Sequence, residues 1–152
     1  MCIYFAAPLF SQAERRFNEH LTQRLEAQGF TVFLPQRDGA EKDPPARISE
    51  ERGQAIFHLD KGQIFASDIF LFILDGRVPD EGACVELGLA YCQRELQGTK
   101  KLLIGLLTDS RSSQLNPMLR VPLDYLASNE ETLLQILQQY QTTGIVPSQE
   151  KS

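Results

Sequence analysis

The chain has 152 residues, enough for one domain with a substantial core, and its 42% apolar and 23% charged fractions are those of a globular protein. A formal net charge of −5 disfavours nucleic-acid polymers and anionic membranes as partners. Three cysteines (Cys2, Cys84, Cys92) without CxxC spacing, and two distant histidines (His20, His58), give neither a disulfide framework nor a metal centre.

Residues 3–7 predict a first strand, broken by Pro8. Ser11-Gln12-Ala13-Glu14 is a capping box, so a helix opens there, runs to about Gln28 and closes at Gly29. Residues 31–34 form a second strand, stopped by Pro35. Residues 36–45 read as a polar loop, long enough to be functional. A helix is expected over 47–66 and a buried strand over 69–74. A further helix runs from Gly82 to about Leu96. Residues 101–107 predict a fourth strand, 109–117 a polar loop, and Tyr125-Leu126 a short fifth strand. An amphipathic helix over 130–140 ends the domain, placed at residues 1–140, and residues 141–152 are expected to be a fraying polar tail. No run is apolar enough to span a membrane and no leader precedes Ile3, so a cytoplasmic location is expected.

This alternation implies a parallel sheet with right-handed crossovers and helices on both faces. The doubly wound order 2-1-3-4-5 is preferred, because it sets the first and third strands together at the switch point where such sheets bind ligands.

The most informative stretch follows the third strand: Asp75-Gly76-Arg77-Val78-Pro79-Asp80-Glu81-Gly82-Ala83-Cys84-Val85-Glu86-Leu87-Gly88-Leu89-Ala90. A strand thus ends in an acidic loop, and a helix carries Glu86 in its opening turns. There the positive end of the helix dipole favours a carboxylate, and an ionised Glu can serve as a covalent nucleophile. By itself a Glu at such a position more often faces solvent. Asp80 lies six residues earlier, and two converging carboxylates can divide roles between charge and proton transfer. Asp60 sits on an apolar stripe between Ile56 and Ile64, either at a boundary or aimed into a pocket. Tyr4, inside the first strand, reads as core, with a hydroxyl that needs a partner if buried. Cys84, without a nearby His, reads as a small buried residue. The sequence lacks GxGxxG, GxxxxGK[ST] and GxSxG.

Together these residues resemble the nucleoside 2-deoxyribosyltransferase family, over nearly the full length to about Tyr140. The likeness rests on Ile3-Tyr4-Phe5-Ala6-Ala7-Pro8-Leu9-Phe10, on Asp60 to Asp68, on Asp80 followed by Glu86-Leu87-Gly88-Leu89-Ala90, and on Asn116-Pro117-Met118. The resemblance implies a flavodoxin-like five-stranded fold and exchange of the base of 2′-deoxynucleosides through a covalent sugar–Glu intermediate. It makes Glu86 the nucleophile and Tyr4 the residue that orients it. Asp60 and Asp80 would bind base or sugar hydroxyls and assist base protonation. Asn116 would be supplied to a neighbouring subunit's site, in a homo-oligomer built from dimers and expected to be a hexamer. Met118, Ala7, Phe10 and Gln36 are the further expected substrate-binding positions. The partners implied are 2′-deoxynucleosides and free purine or pyrimidine bases, with no metal or organic cofactor.

Two departures from the family pattern matter. The chain ends Pro147-Ser148-Gln149-Glu150-Lys151-Ser152, without the terminal aromatic residue whose carboxylate joins many such sites. The loop Ala7-Pro8-Leu9-Phe10 lacks the Ser, Gly and Arg that hold phosphate in related deoxynucleoside-monophosphate hydrolases. Free nucleosides are therefore favoured over nucleotides, with Gln36, Arg37 and Arg47 leaving room for phosphate. The alternatives are a hydrolase of the same bond and a non-catalytic nucleoside-binding module.

Overall fold

The structure, a computed structural model, describes residues 1–40, 48–109 and 115–149. Its five strands are β1 (Cys2–Ala6), β2 (Thr31–Phe33), β3 (Ile69–Ile73), β4 (Leu102–Leu106) and β5 (Tyr125–Ala127). They pair in parallel, in the order β2-β1-β3-β4-β5. The flavodoxin-like doubly wound sheet is therefore present, with β1 beside β3 at the switch point. β3 and β4 are buried along their whole length, which is why they read as unbroken apolar runs rather than alternating ones.

The helices are α1 (Gln12–Ala27), α2 (Pro35–Asp38), α3 (Glu50–Ala66), α4 (Glu81–Gln97), α5 (Pro117–Arg120) and α6 (Glu130–Thr143). Strand periodicity of two splits the core into halves. On one face Ile3, Phe5, Leu71 and Ile104 pack with Leu21 and Leu25 of α1 and Leu133 and Leu137 of α6. On the other, Tyr4, Phe70, Phe72 and Leu103 pack with Ile64 of α3 and Ala83, Leu87 and Ala90 of α4. β4 carries one glycine, Gly105, for a steric reason. A Cβ there would come within 2.9 Å of side-chain carbons of Leu74, Leu123 and Leu126.

Several boundaries differ from the sequence reading. The helix expected from residue 47 starts at Glu50, because Ser49 accepts from the Arg52 N–H and caps it. The polar loop from Gln36 opens with the short turn α2, since Pro35 at its first position is already preset for helix. The rest of that loop over 41–45, and Arg47, lie outside the described residues, as do 110–114 of the loop before α5. The tail does not fray as expected through Gln149. α6 continues to Thr143, Val146 packs on the core, and the Gln149 amide bonds both the N–H and the C=O of Leu126 on the edge strand β5, at 2.8 and 3.0 Å. Among the described residues no helix is long and apolar enough to cross a membrane.

At the amino end of the sheet Lys101 is only 5% exposed. Its ammonium donates to the carbonyls of Ile64 and Ser67 and to the Ser67 hydroxyl, satisfying groups at the end of α3. Burial lowers its pKa from 10.5 to about 8, opposed in part by Asp68. The folded state thus binds fewer protons than the unfolded chain between those values, so stability from this group grows as pH rises through that window and is lost as pH falls back through about 8. Urea unfolding of wild type and Lys101→Met should show the wild type gaining relative stability from pH 8 towards pH 10. A difference independent of pH would contradict a depressed lysine.

Candidate active site

Glu86 lies in the second turn of α4, partly buried, beside the sheet-facing stripe of Ala83, Leu87 and Ala90. It lies three positions after Ala83 and four before Ala90, spacings that keep it on the sheet-facing side of the helix. Across from it, Tyr4 is fully buried, and its hydroxyl donates to Glu86 Oε1 at 2.7 Å. A hydrogen bond to a carboxylate is among the stronger kinds, and it gives the buried phenol the partner it requires. Register holds the ring in place: Tyr4 pairs with Phe33 on β2 and Phe70 on β3, so all three side chains leave the same face of the sheet. The Tyr4 ring is stacked on both, with centroids 5.7 and 5.8 Å apart.

Above this pair is a cleft of about 230 Å³ at the carboxyl ends of β1 and β3, lined by Ala7, Leu9, Phe10, Pro35, Asp80, Glu81, Gly82, Ala83 and Glu86. Its two walls differ. The β1–α1 loop and Pro35 are apolar, whereas the start of α4 brings three carboxylates. Asp80 caps α4, its Oδ1 accepting from the Ala83 N–H at 2.9 Å. The loop leading to Asp80 is anchored at its other end by Asp75, which accepts from the Thr108 N–H (2.6 Å), the Thr108 hydroxyl (2.7 Å) and the Asp109 N–H (2.9 Å). Directly after it, Gly76 takes a φ of +132°, a conformation that favours glycine.

The structure therefore brings together Glu86, Tyr4, Asp80, Ala7 and Phe10 of the expected site residues. Asp60 is buried at 7% exposure on α3 and is not among the side chains lining this cleft. Gln36 turns inward instead: it is 4% exposed, and its amide bonds Asn18, the Arg15 carbonyl and Glu19. Arg37 is likewise engaged, by Asp38, Glu26 and the Val32 carbonyl. Asn116 and Met118 lie on the surface of their own chain, Met118 at 79% exposure. The Asn116 side chain caps α5 by accepting from the Met118 N–H. Burial, with Asp80 nearby, pushes the Cys84 thiol pKa up, which disfavours a thiolate nucleophile there.

Sequence reasoning missed Phe33 and Phe70 as supports of Tyr4, Leu9, Pro35 and Glu81 as lining, and Asp75 as an anchor. Phe33 and Phe70 were visible as strand residues, but only register places them on either side of Tyr4.

A profile of the nucleoside 2-deoxyribosyltransferase family matches residues 3–134. No curated protein matches the sequence. Among solved structures, a conserved protein from Enterococcus faecalis V583 is 28% identical, with a TM-score of 0.74 over 91% of this chain and 98% of that one. A 2-deoxyribosyltransferase from Bacillus psychrosaccharolyticus is 22% identical, with a TM-score of 0.74 over 88% of this chain and 90% of that one. A 2-deoxyribosyltransferase from Leishmania mexicana is 19% identical, with a TM-score of 0.64 over 91% and 97%. At these last two identities the likeness shows the fold alone. The family profile, by contrast, reaches all five strands and both ends of the Tyr4–Glu86 bond, and this chain belongs to the nucleoside 2-deoxyribosyltransferase family.

Proposed function

We propose that this protein exchanges the base of 2′-deoxynucleosides, by a pentosyl transfer that passes through a covalent deoxyribosyl ester on Glu86. The observation that carries the reading is the Tyr4 hydroxyl on the Glu86 carboxylate, at the floor of a cleft at the switch point. A binding module has no need of a carboxylate oriented in this way.

Breaking the N-glycosidic bond builds positive charge at the anomeric carbon, which a nearby carboxylate stabilises and then traps, as in retaining glycosidases. A Glu86 oxygen bonds to C1′ as the C1′–N bond breaks, and that electron pair departs with the base, which takes up a proton. Asp80 already uses one oxygen as an acceptor for the helix cap, a role that suits binding a sugar hydroxyl. The proton comes from a second acid, a role that the family resemblance assigns to Asp60, which is buried on α3 outside the lining of this cleft. A second base attacks C1′ from the same side that the first one left, the ester bond breaks, and the proton returns to the acid. Two inversions give retention, with ping-pong kinetics. The base packs on Ala7, Leu9, Phe10 and Pro35, and the sugar faces the acidic wall.

Incubation with thymidine and adenine should yield deoxyadenosine and thymine. Free deoxyribose would indicate a hydrolase instead, and unchanged substrates a binding module. Glu86→Gln should lower turnover by orders of magnitude with the fold intact, and a folded variant keeping more than about a tenth of wild-type turnover would remove Glu86 as nucleophile.

Among the described residues the lining contains three carboxylates and no cation, and Arg37 is held elsewhere, so a 5′-phosphate meets like charge from them. Thymidine should therefore be used at least about ten-fold better in kcat/KM than thymidine 5′-monophosphate, like-charge contacts costing up to several kcal/mol. Equal use of the two would refute the preference for free nucleosides.

The cleft of one chain, about 230 Å³, falls below the roughly 300–1,000 Å³ usual for small-molecule sites. This supports a neighbour's exposed Asn116 segment completing it, within a dimer-based homo-oligomer. Mixing inactive Glu86→Ala with inactive Asn116→Ala under subunit exchange should restore some activity, because a symmetric assembly then forms some intact hybrid sites. Exchange proven by a mass label without return of activity would show that Asn116 does not act in trans.

A further inference from the structure

We propose that Asn18 is a positioning residue that sets the apolar wall of the cleft, acting through the Pro8 carbonyl and the Gln36 side chain. The inference rests on the reading of that wall as the seat of the base.

Asn18 is 1% exposed on α1. Its amide nitrogen donates to the Pro8 carbonyl at 2.9 Å and to Gln36 Oε1 at 3.0 Å, which uses both of its protons. Gln36 is itself fixed, its amide nitrogen donating to the Arg15 carbonyl at 2.9 Å and to Glu19 Oε1 at 3.1 Å. The chain neighbours of the two acceptors are the apolar lining. Ala7, Leu9 and Phe10 lie within two residues of Pro8, and Pro35 directly precedes Gln36. One amide thus ties together the two segments that form the wall. The far end of the loop is held separately, by Glu14 accepting from the Phe10 and Ser11 N–H groups.

The chemistry requires an amide. Leucine has the same branching and number of side-chain heavy atoms but no donor, and would leave the part-buried Pro8 carbonyl and the buried Gln36 Oε1 without these bonds. Aspartate would set an acceptor against two acceptors. A buried network of this kind specifies one arrangement because each member has only one set of partners within reach. Loosening it should widen the slot without touching Glu86, Tyr4 or Asp80. Binding should suffer and chemistry should not.

The test compares wild type, Asn18→Leu, Gln36→Met and the double variant Asn18→Leu/Gln36→Leu, all assayed well below their melting temperatures. Thymidine affinity is measured by titration calorimetry, and exchange with adenine by chromatography. Asn18→Leu should raise the Kd and KM for thymidine about ten-fold, the scale of one lost buried hydrogen bond, with kcat nearly unchanged. The double variant removes the orphaned Gln36 acceptor together with its own bonds to the Arg15 carbonyl and Glu19, and KM should stay high whatever its melting temperature, because the Pro8 tie is still missing. A KM that recovers together with stability, or a folded Asn18→Leu with wild-type Kd and KM, would overturn the proposal. If Asn18→Leu does not fold, Gln36→Met decides in the same way, since it cuts the link between the two segments from the other side. Thymidine binding that weakens in the variants of a wild type showing no exchange would keep the wall and discard the reaction. A wild type that neither binds nor exchanges would sink both.

Discussion

The site depends on one hydrogen bond that joins a strand to a helix. Tyr4 belongs to β1 and Glu86 to α4, 82 positions apart, and the 2.7 Å contact between them fixes the carboxylate at the end of a rigid ring. A phenol has few torsions, and here the ring is clamped between Phe33 and Phe70, so little motion remains to misplace the oxygen. Preorganisation of this kind lowers the cost of reaching a reactive geometry, because orientation is settled by folding rather than at each turnover. The clamp exists only because β1 is flanked by β2 on one side and β3 on the other.

The ends of the sheet are chemically unlike. At the carboxyl end, Asp75, Asp80, Glu81 and Glu86 gather around loops and the start of α4, where unpaired N–H groups favour negative charge. At the amino end, a buried lysine meets the carbonyls that close α3. Both arrangements satisfy helix termini, yet they differ in consequence. The lysine is enclosed and structural. Asp80, Glu81 and Glu86 instead face an open cleft, and Asp75 anchors the loop that leads to them.

Within the cleft, precision comes from residues that do not line it. Asn18 and Gln36 hold one wall from behind, and Asp75 holds the loop that leads to the other. All three are polar side chains spent on protein partners. This is the familiar division between groups that contact a ligand and groups that hold those contacts still.

Much of the fold was legible in the sequence because local physics determines it. Apolar runs marked β3 and β4, the Ser11–Glu14 box opened α1, and an acidic loop before a helix singled out Asp80 and Glu86. Family resemblance paired Glu86 with Tyr4. The role of Gln36 was not legible, because whether an amide faces a ligand or a neighbouring helix depends on packing against α1. The fate of residues 141–149 was hidden for a similar reason: their anchoring is a single amide on the edge of β5, which no local pattern encodes. Sequence by itself thus determined which segments become strands and helices and which carboxylates sit near helix starts, since periodicity and capping act over a few residues. Only the tertiary structure decided which aromatic rings enclose Tyr4 and which amides brace the cleft, because those contacts join segments that are distant in the chain and meet only once strand order and register are set.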